Sequence, residues 1–303
     1  MGQMRLLRVP KTSPFGPHGM RNNLSIKGKE NNYPPLSSSS IPTRSQLPIE
    51  TKDQKMNCKT RELLTEYAAK YETTDFLTGD PSWFMHQVEG PHNQEVMALI
   101  ASCLSYGNRK LFMPKIQLFL KESRGNIYSW IKDNSFTVAI PDTPERFYRL
   151  QTYHHVHQLF MGIQDILIKH GSIGEFVKER ATTAHDAITA MTRHFHLWDV
   201  GHLVPKSTTS SCKRVCMLLR WMVRDCSPVD LGLWTFIDKR TLIIPLDTHV
   251  MEEAKRLGLL ATTQPSMRTA QKLTDELRKV FPDDPLKGDF ALFGCGIQKA
   301  IAP

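Results

Sequence analysis

The sequence predicts an all-α protein, and three observations carry that expectation. From residue 58 onward, apolar residues recur at helical spacing along most of the chain. Most of these runs are bounded by residues suited to start or stop a helix. A sustained period-two pattern is missing apart from the brief approach Thr241–Leu246, and no fixed-period repeat is visible. The 303 residues suffice for one large domain or two lobes with a real core. With 40% hydrophobic residues and no run of eighteen apolar ones, no membrane span is expected.

The elements follow in chain order. Leu63, Leu64, Tyr67 and Ala68 place a helix over residues 60–71. Asp80-Pro81 and Gly90-Pro91 read as turns. Asn93 is expected to cap a helix through Val96, Leu99, Ile100 and Leu104 that ends near Gly107 and Asn108. Pro114 is expected to open the next, with Ile116, Phe119 and Leu120. Pro144 is expected to open another, running through Phe147 and Leu150 towards Ile163, with Gly171 closing that region. Further helices are expected over residues 173–180, 184–195, 211–224, 248–257, 268–280 and 288–294.

The formal net charge is +9, a sign that favours polyanionic partners. Residues 1–57 carry nine Lys/Arg against three Asp/Glu, so 9 − 3 = +6 resides there and 9 − 6 = +3 in the rest. That segment, rich in proline and bearing the run Ser37 to Ser40, has too little apolar surface to order itself. It reads as a solvated tail that helps hold a polyanion or as a misassigned start with Met56 as the initiator. A basic targeting segment fits less well, because its proline density opposes an amphipathic helix. The six scattered cysteines form no zinc-type pair of motifs and are expected to be reduced in a cytoplasm.

Two stretches carry chemistry. On a helix over residues 211–224, Lys213, Arg220 and Arg224 fall on one face, opposite Val215, Cys216, Leu219 and Met222. That face is either a solvated basic surface or one turned towards phosphates, with Arg214 beside it. Lys213 is a candidate nucleophile, effective only as a neutral amine. The run Leu242–Leu246 then delivers Asp247 to the start of a short helix whose stripe is Val250, Ala254 and Leu257. Aspartate is a favoured helix cap, and the same placement suits a carboxylate that stabilises a developing cation.

These residues resemble a known superfamily. Leu246-Asp-Thr-His-Val250, Arg256-Leu-Gly-Leu259, Leu99-Ile-Ala-Ser-Cys-Leu-Ser105 and Phe290-Ala-Leu-Phe-Gly294 are similar to segments of the helix-hairpin-helix DNA glycosylases of the endonuclease III type. More closely, the stretch from about Tyr71 to Gly296 resembles the bacterial family "domain of unknown function 2400". The residues carrying that likeness are Asp80-Pro81 with His86, Cys212-Lys-Arg214, Leu219-Arg-Trp-Met-Val-Arg224, Asp230-Leu-Gly-Leu-Trp234, Ile244-Pro-Leu-Asp-Thr-His249 and Asp289-Phe-Ala-Leu-Phe-Gly294.

The resemblance implies a two-lobed helical fold of the glycosylase type. One lobe would span about 95–225, and the other would combine 58–94 with 240–303. It implies a base-excision enzyme acting on nucleic acid, chiefly double-stranded DNA, in which Asp247 stabilises the sugar cation and Lys213 attacks the anomeric carbon. In place of the glycine-rich hairpin of the glycosylases, this chain has Leu203 to Ser211 with one proline and no glycine. Lys206, Ser207 and Ser210 are its phosphate-binding candidates. Asn108, Arg109 and Lys110 occupy the position of duplex-probing residues, or an ordinary loop. Trp234 and His249 are expected to line the cleft, with Asp230–Trp234 lining or covering it. His154, His155 and His157, and the looser group of His194, His196 and His202, lack metal-like spacing, so no metal is expected. No Cys₄ run follows Asp247, and no cofactor is expected. Two alternatives stay open: a non-catalytic nucleic-acid-binding module, and a structural protein whose Asp247 is only a helix cap.

Overall fold

The computed structural model describes residues 56–262 and 264–301. The reading of residues 1–57 as tail or misassigned start falls outside them, save for Met56 and Asn57. Asn57 opens the first helix, its side chain accepting from the Lys59 backbone N–H. That helix, α1, spans Cys58–Tyr71. It is followed by α2 (Pro91–Leu104), α3 (Arg109–Glu122), α4 (Ile127–Lys132), α5 (Tyr153–His170), α6 (Ile173–Lys178), α7 (Ala184–Phe195), α8 (Lys213–Val223), α9 (Thr248–Arg256), α10 (Met267–Arg278) and α11 (Lys287–Ile301). Sheet among the described residues is one antiparallel hairpin, β1 (Arg146–Tyr148) and β2 (Gln151–Thr152). The protein is therefore all-α, and no described helix is long and apolar enough to cross a membrane.

α2 is the hub of the packing. Residues Glu95 to Leu104 are all buried, and α3, α4, α6 and α8 pack against them. α5 in turn contacts α4, α6 and α7. A second set forms around α11, which lies along α1 and against α9. α10 is tied in by the Met267 amide donating to the Thr209 carbonyl and the Ile244 amide donating to the Thr274 hydroxyl.

Three starts differ from expectation for local reasons. α2 begins at Pro91, whose missing N–H and fixed φ suit a first helical position, after Gly90 at φ +83°. Asn93 does not cap it; its side chain donates to the Glu89 carbonyl and accepts from the Tyr128 amide, tying α2 to α4. α3 begins earlier than Pro114, because Asn108 caps it through the Lys110 amide and leaves Pro114 inside. The stretch after Pro144 forms the β1–β2 hairpin in place of a helix. Helix resumes only at Tyr153, where Thr152 and His155 close a capping box.

Candidate functional site

Two helix starts build the site. Asp247 caps α9: one carboxylate oxygen accepts from the Val250 amide at 2.9 Å. Its other oxygen faces Lys213, the first residue of α8, with Nζ at 3.1 Å from Oδ2. Each side chain is about one-third exposed, at 33% and 32%. α8 is entered through Cys212 at φ +46°, with no side chain capping the helix start.

Arg214 turns the other way from Lys213. Its guanidinium donates to the Cys103 carbonyl at 3.2 Å and lies 5.3 Å from the centre of the Tyr106 ring. Burial lowers its pKa from the usual arginine range. Arg214 thus ties the start of α8 to the end of α2, which steadies the backbone that presents Lys213.

Arg220 and Arg224 correct the expectation of a phosphate-facing surface. Both are buried. Arg220 donates to Asp230 at 3.2 Å and also to Asp289. Arg224 donates to both oxygens of Asp284 at 2.9 and 2.8 Å, to Glu72 at 2.6 Å and to Asp230. The rings of Phe76 and Phe290 flank the guanidiniums, with Phe290 4.7 Å from that of Arg220. Burial pushes the Asp230 and Asp289 carboxyls up, and the arginines oppose that push. The charge of Asp247 adds to the upward push on Asp289.

Trp234 is also corrected: it is a core residue, and its indole N–H donates to Glu95 at 2.8 Å. The Asp230–Trp234 segment folds back on the end of α8, with the Leu231 amide on the Trp221 carbonyl and the Trp234 amide on that of Met222. His249 is exposed on the first turn of α9.

The glycine-free segment before α8 is a turn held by hydroxyls. Ser207 accepts from the Thr209 amide, and the Ser210 hydroxyl donates to the Ser207 carbonyl. Lys206, Ser207 and Ser210 are all exposed. Asn108, Arg109 and Lys110 are exposed at the start of α3, where Arg109 pairs with Asp80 at 3.3 Å. A concavity of about 290 Å³ is lined by Trp198, Asp199, Gly201 and Lys206 among others, and one of about 690 Å³ lies between α5, α6 and α7. Lys213 and Asp247 line neither.

Four of the six histidines are engaged in the scaffold, His155 through the α5 capping box. His154 bridges Asp142 and Asp199, His157 reaches the Ile140 carbonyl and His194 that of Gly162. Among the described residues no cluster of three or more His, Cys, Asp or Glu side chains is arranged to hold a metal ion.

A family model described as "Protein of unknown function (DUF2400)" matches residues 80–298. The chain belongs to this family. The DUF2400 match spans the start of α8, the cap of α9 and every acidic partner of Arg220 and Arg224 except Glu72. No curated protein and no solved structure matches the chain. Sequence reasoning placed Asp230 and Asp289 in family segments without pairing them with Arg220 and Arg224, and it missed Asp284 and Glu72. The available signal was their number: Asp284 and Asp289 flank the start of an apolar helix, and Asp230 precedes Leu-Gly-Leu.

Proposed function

We propose that this protein is a base-excision enzyme acting on double-stranded DNA, a DNA glycosylase with abasic-site lyase capacity, working in the cytoplasm on a two-lobed fold of the helix-hairpin-helix type. The observation that carries the reading is the 3.1 Å approach of Lys213 Nζ to Asp247 Oδ2 at two helix starts, with both side chains reachable from solvent. A target nucleotide turned out of the duplex presents its anomeric carbon to this pair. As the glycosidic bond breaks, the base leaves with the bonding electrons. The Asp247 carboxylate then faces the sugar cation, where a fixed negative charge is most effective. The Lys213 ammonium gives one proton to the departing base, and the neutral amine so formed bonds to the anomeric carbon, the new secondary ammonium carrying the positive charge. Ser207, Ser210 and Lys206 on the preceding turn, and Asn108 to Lys110 on α3, are the proposed phosphate contacts.

The test is borohydride trapping on duplexes carrying an abasic site, uracil, or an oxidised or alkylated base. A covalent adduct that disappears in Lys213→Ala supports the lyase. Base release without an adduct supports a water-using glycosylase centred on Asp247. Salt-dependent binding with neither product supports the second reading, a non-catalytic DNA-binding module. That reading is favoured by the absence of glycine from the turn at Leu203–Ser211, since glycine permits close backbone approach to a phosphate.

A further inference from the structure

The larger concavity has neither Lys213 nor Asp247 in its lining. It measures about 690 Å³ between α5, α6 and α7, within the roughly 300–1,000 Å³ typical of small-molecule sites. α7 creates it by carrying two faces. Ala187, Ile188, Met191 and Phe195 are buried on one. On the other, Asp186, Thr189, Ala190 and Arg193 follow at i, i+3, i+4 and i+7 and line the cleft. Thr189 and Ala190 are small, so the middle of the cleft stays open between an acid and a cation.

The other walls are held by their own contacts. Phe176 of α6 is buried, and the rings of His170 and His194 meet it edge-to-face at 5.3 and 5.1 Å. The Arg180 guanidinium lies 4.4 Å from the centre of the same ring. Glu179 pairs with Arg180 at 2.7 Å and with His170 at 2.9 Å, and Asp165 pairs with Lys169 at 2.7 Å. These charges are answered within the walls.

Three lining groups still have bonding capacity to offer. The Arg193 guanidinium forms no ion pair among the described residues. Asp186 closes the α7 capping box through Oδ2, which accepts from the Thr183 amide at 3.1 Å and the Thr183 hydroxyl at 2.8 Å. Those bonds hold its pKa below the usual aspartate value and leave Oδ1 free to accept. His194 meets the Gly162 carbonyl at 2.8 Å through Nε2, which carries the proton because a carbonyl only accepts. Burial lowers the His194 pKa, so the ring is neutral and Nδ1 is an open acceptor.

Arg193 follows Asp186 by seven residues, about 10 Å along the helix axis. A free arginine fork binds phosphate through paired N–H bonds. Asp186 Oδ1 and His194 Nδ1 can only accept, so the rest of the ligand supplies N–H or O–H groups. An anion at one end, a hydroxylated middle and N–H donors about 10 Å from the anion outline a nucleotide. We propose that this cleft is a binding site for a free nucleoside monophosphate, with the phosphate on Arg193, a sugar hydroxyl on His194 and the base N–H groups on Asp186. The site stands whether or not Lys213 and Asp247 act on DNA.

Calorimetric titration of the full chain with guanosine monophosphate, guanosine and inorganic phosphate tests the site. Guanine is the base used because it offers two adjacent N–H groups to one carboxylate. The monophosphate should bind at least about tenfold more tightly than guanosine or phosphate, each of which engages one end only. Arg193→Gln should weaken it by about tenfold and leave guanosine binding unchanged. Thr189→Trp, which fills the middle of the cleft, should abolish binding of the monophosphate, with the melting temperature reporting that the fold is kept. No binding of guanosine monophosphate by the wild type, phosphate bound as tightly as the monophosphate, or undiminished affinity in Arg193→Gln overturns the proposal.

Discussion

Lys213 Nζ lies 3.1 Å from Asp247 Oδ2, and the other oxygen of Asp247 caps α9 through the Val250 amide. One carboxylate thus performs two separable tasks. The cap needs only an oxygen acceptor. The pairing with lysine, and the proposed chemistry, need the charge.

Asp247→Asn should separate these tasks. Asparagine caps a helix about as well as aspartate, so the melting temperature should stay close to wild type while base release falls by at least 100-fold. Asp247→Ala should lose both, with about 1 kcal/mol less stability in urea titration. Full activity in the asparagine variant would reduce Asp247 to a cap.

Lys213→Ala removes a partly exposed ion pair, so less than about 1 kcal/mol of stability should go with it. The borohydride-trapped adduct should vanish on the same preparation. An adduct of undiminished yield would take Lys213 out of the mechanism.

Arg224→Met should behave in the opposite way. It strands the acids at Asp284, Asp230 and Glu72 inside the protein, and breaking such a pair costs about 3–5 kcal/mol. Denaturant titration should show that loss. If the variant folds at low temperature, the salt dependence of its DNA binding should match wild type, because a buried guanidinium releases no counterions from DNA. A shallower salt slope with unchanged stability would restore Arg224 to the binding surface.

His154 and Asp142 predict a pH window. The Asp142 hydrogen bond raises the His154 pKa from its ordinary 6.5, and His154 lowers the Asp142 pKa from 3.8. The raised histidine contributes stability fully below about pH 6.5 and loses it as pH rises through its folded value. The lowered aspartate contributes above about pH 3.8 and loses it as pH falls through its folded value. The stability gap between wild type and His154→Gln should therefore be widest near pH 5 and close towards pH 9. Equal gaps at both pH values would show that the pair contributes nothing through its charge.

What the sequence made legible was local. Leu64 and Ala68 are buried at helical spacing in α1, and Asp247 heads a helix whose buried residues include Val250 and Ala254. The one-face spacing of Lys213, Arg220 and Arg224 was equally plain, but spacing does not say what a face meets. Two of its three cations meet Asp230, Asp284, Asp289 and Glu72, the last three from segments 60, 69 and 152 residues away in sequence. Leu150 misled for a related reason: helical apolar spacing through Phe147 and Leu150 is also what a pinned hairpin with one outward leucine produces. Trp234 was a matter of partner, since only the fold brings Glu95 to its indole.

The buried arginines also set an order of events during synthesis. When α8 leaves the ribosome, Glu72 and Asp230 are at hand or close behind, but Asp284 and Asp289 have yet to be made. Until they emerge, the nascent chain holds two guanidiniums it cannot afford to bury. The central helix must then wait, half wet, until acids 60 and 69 residues further along are made, so a later segment completes the interior that α8 began.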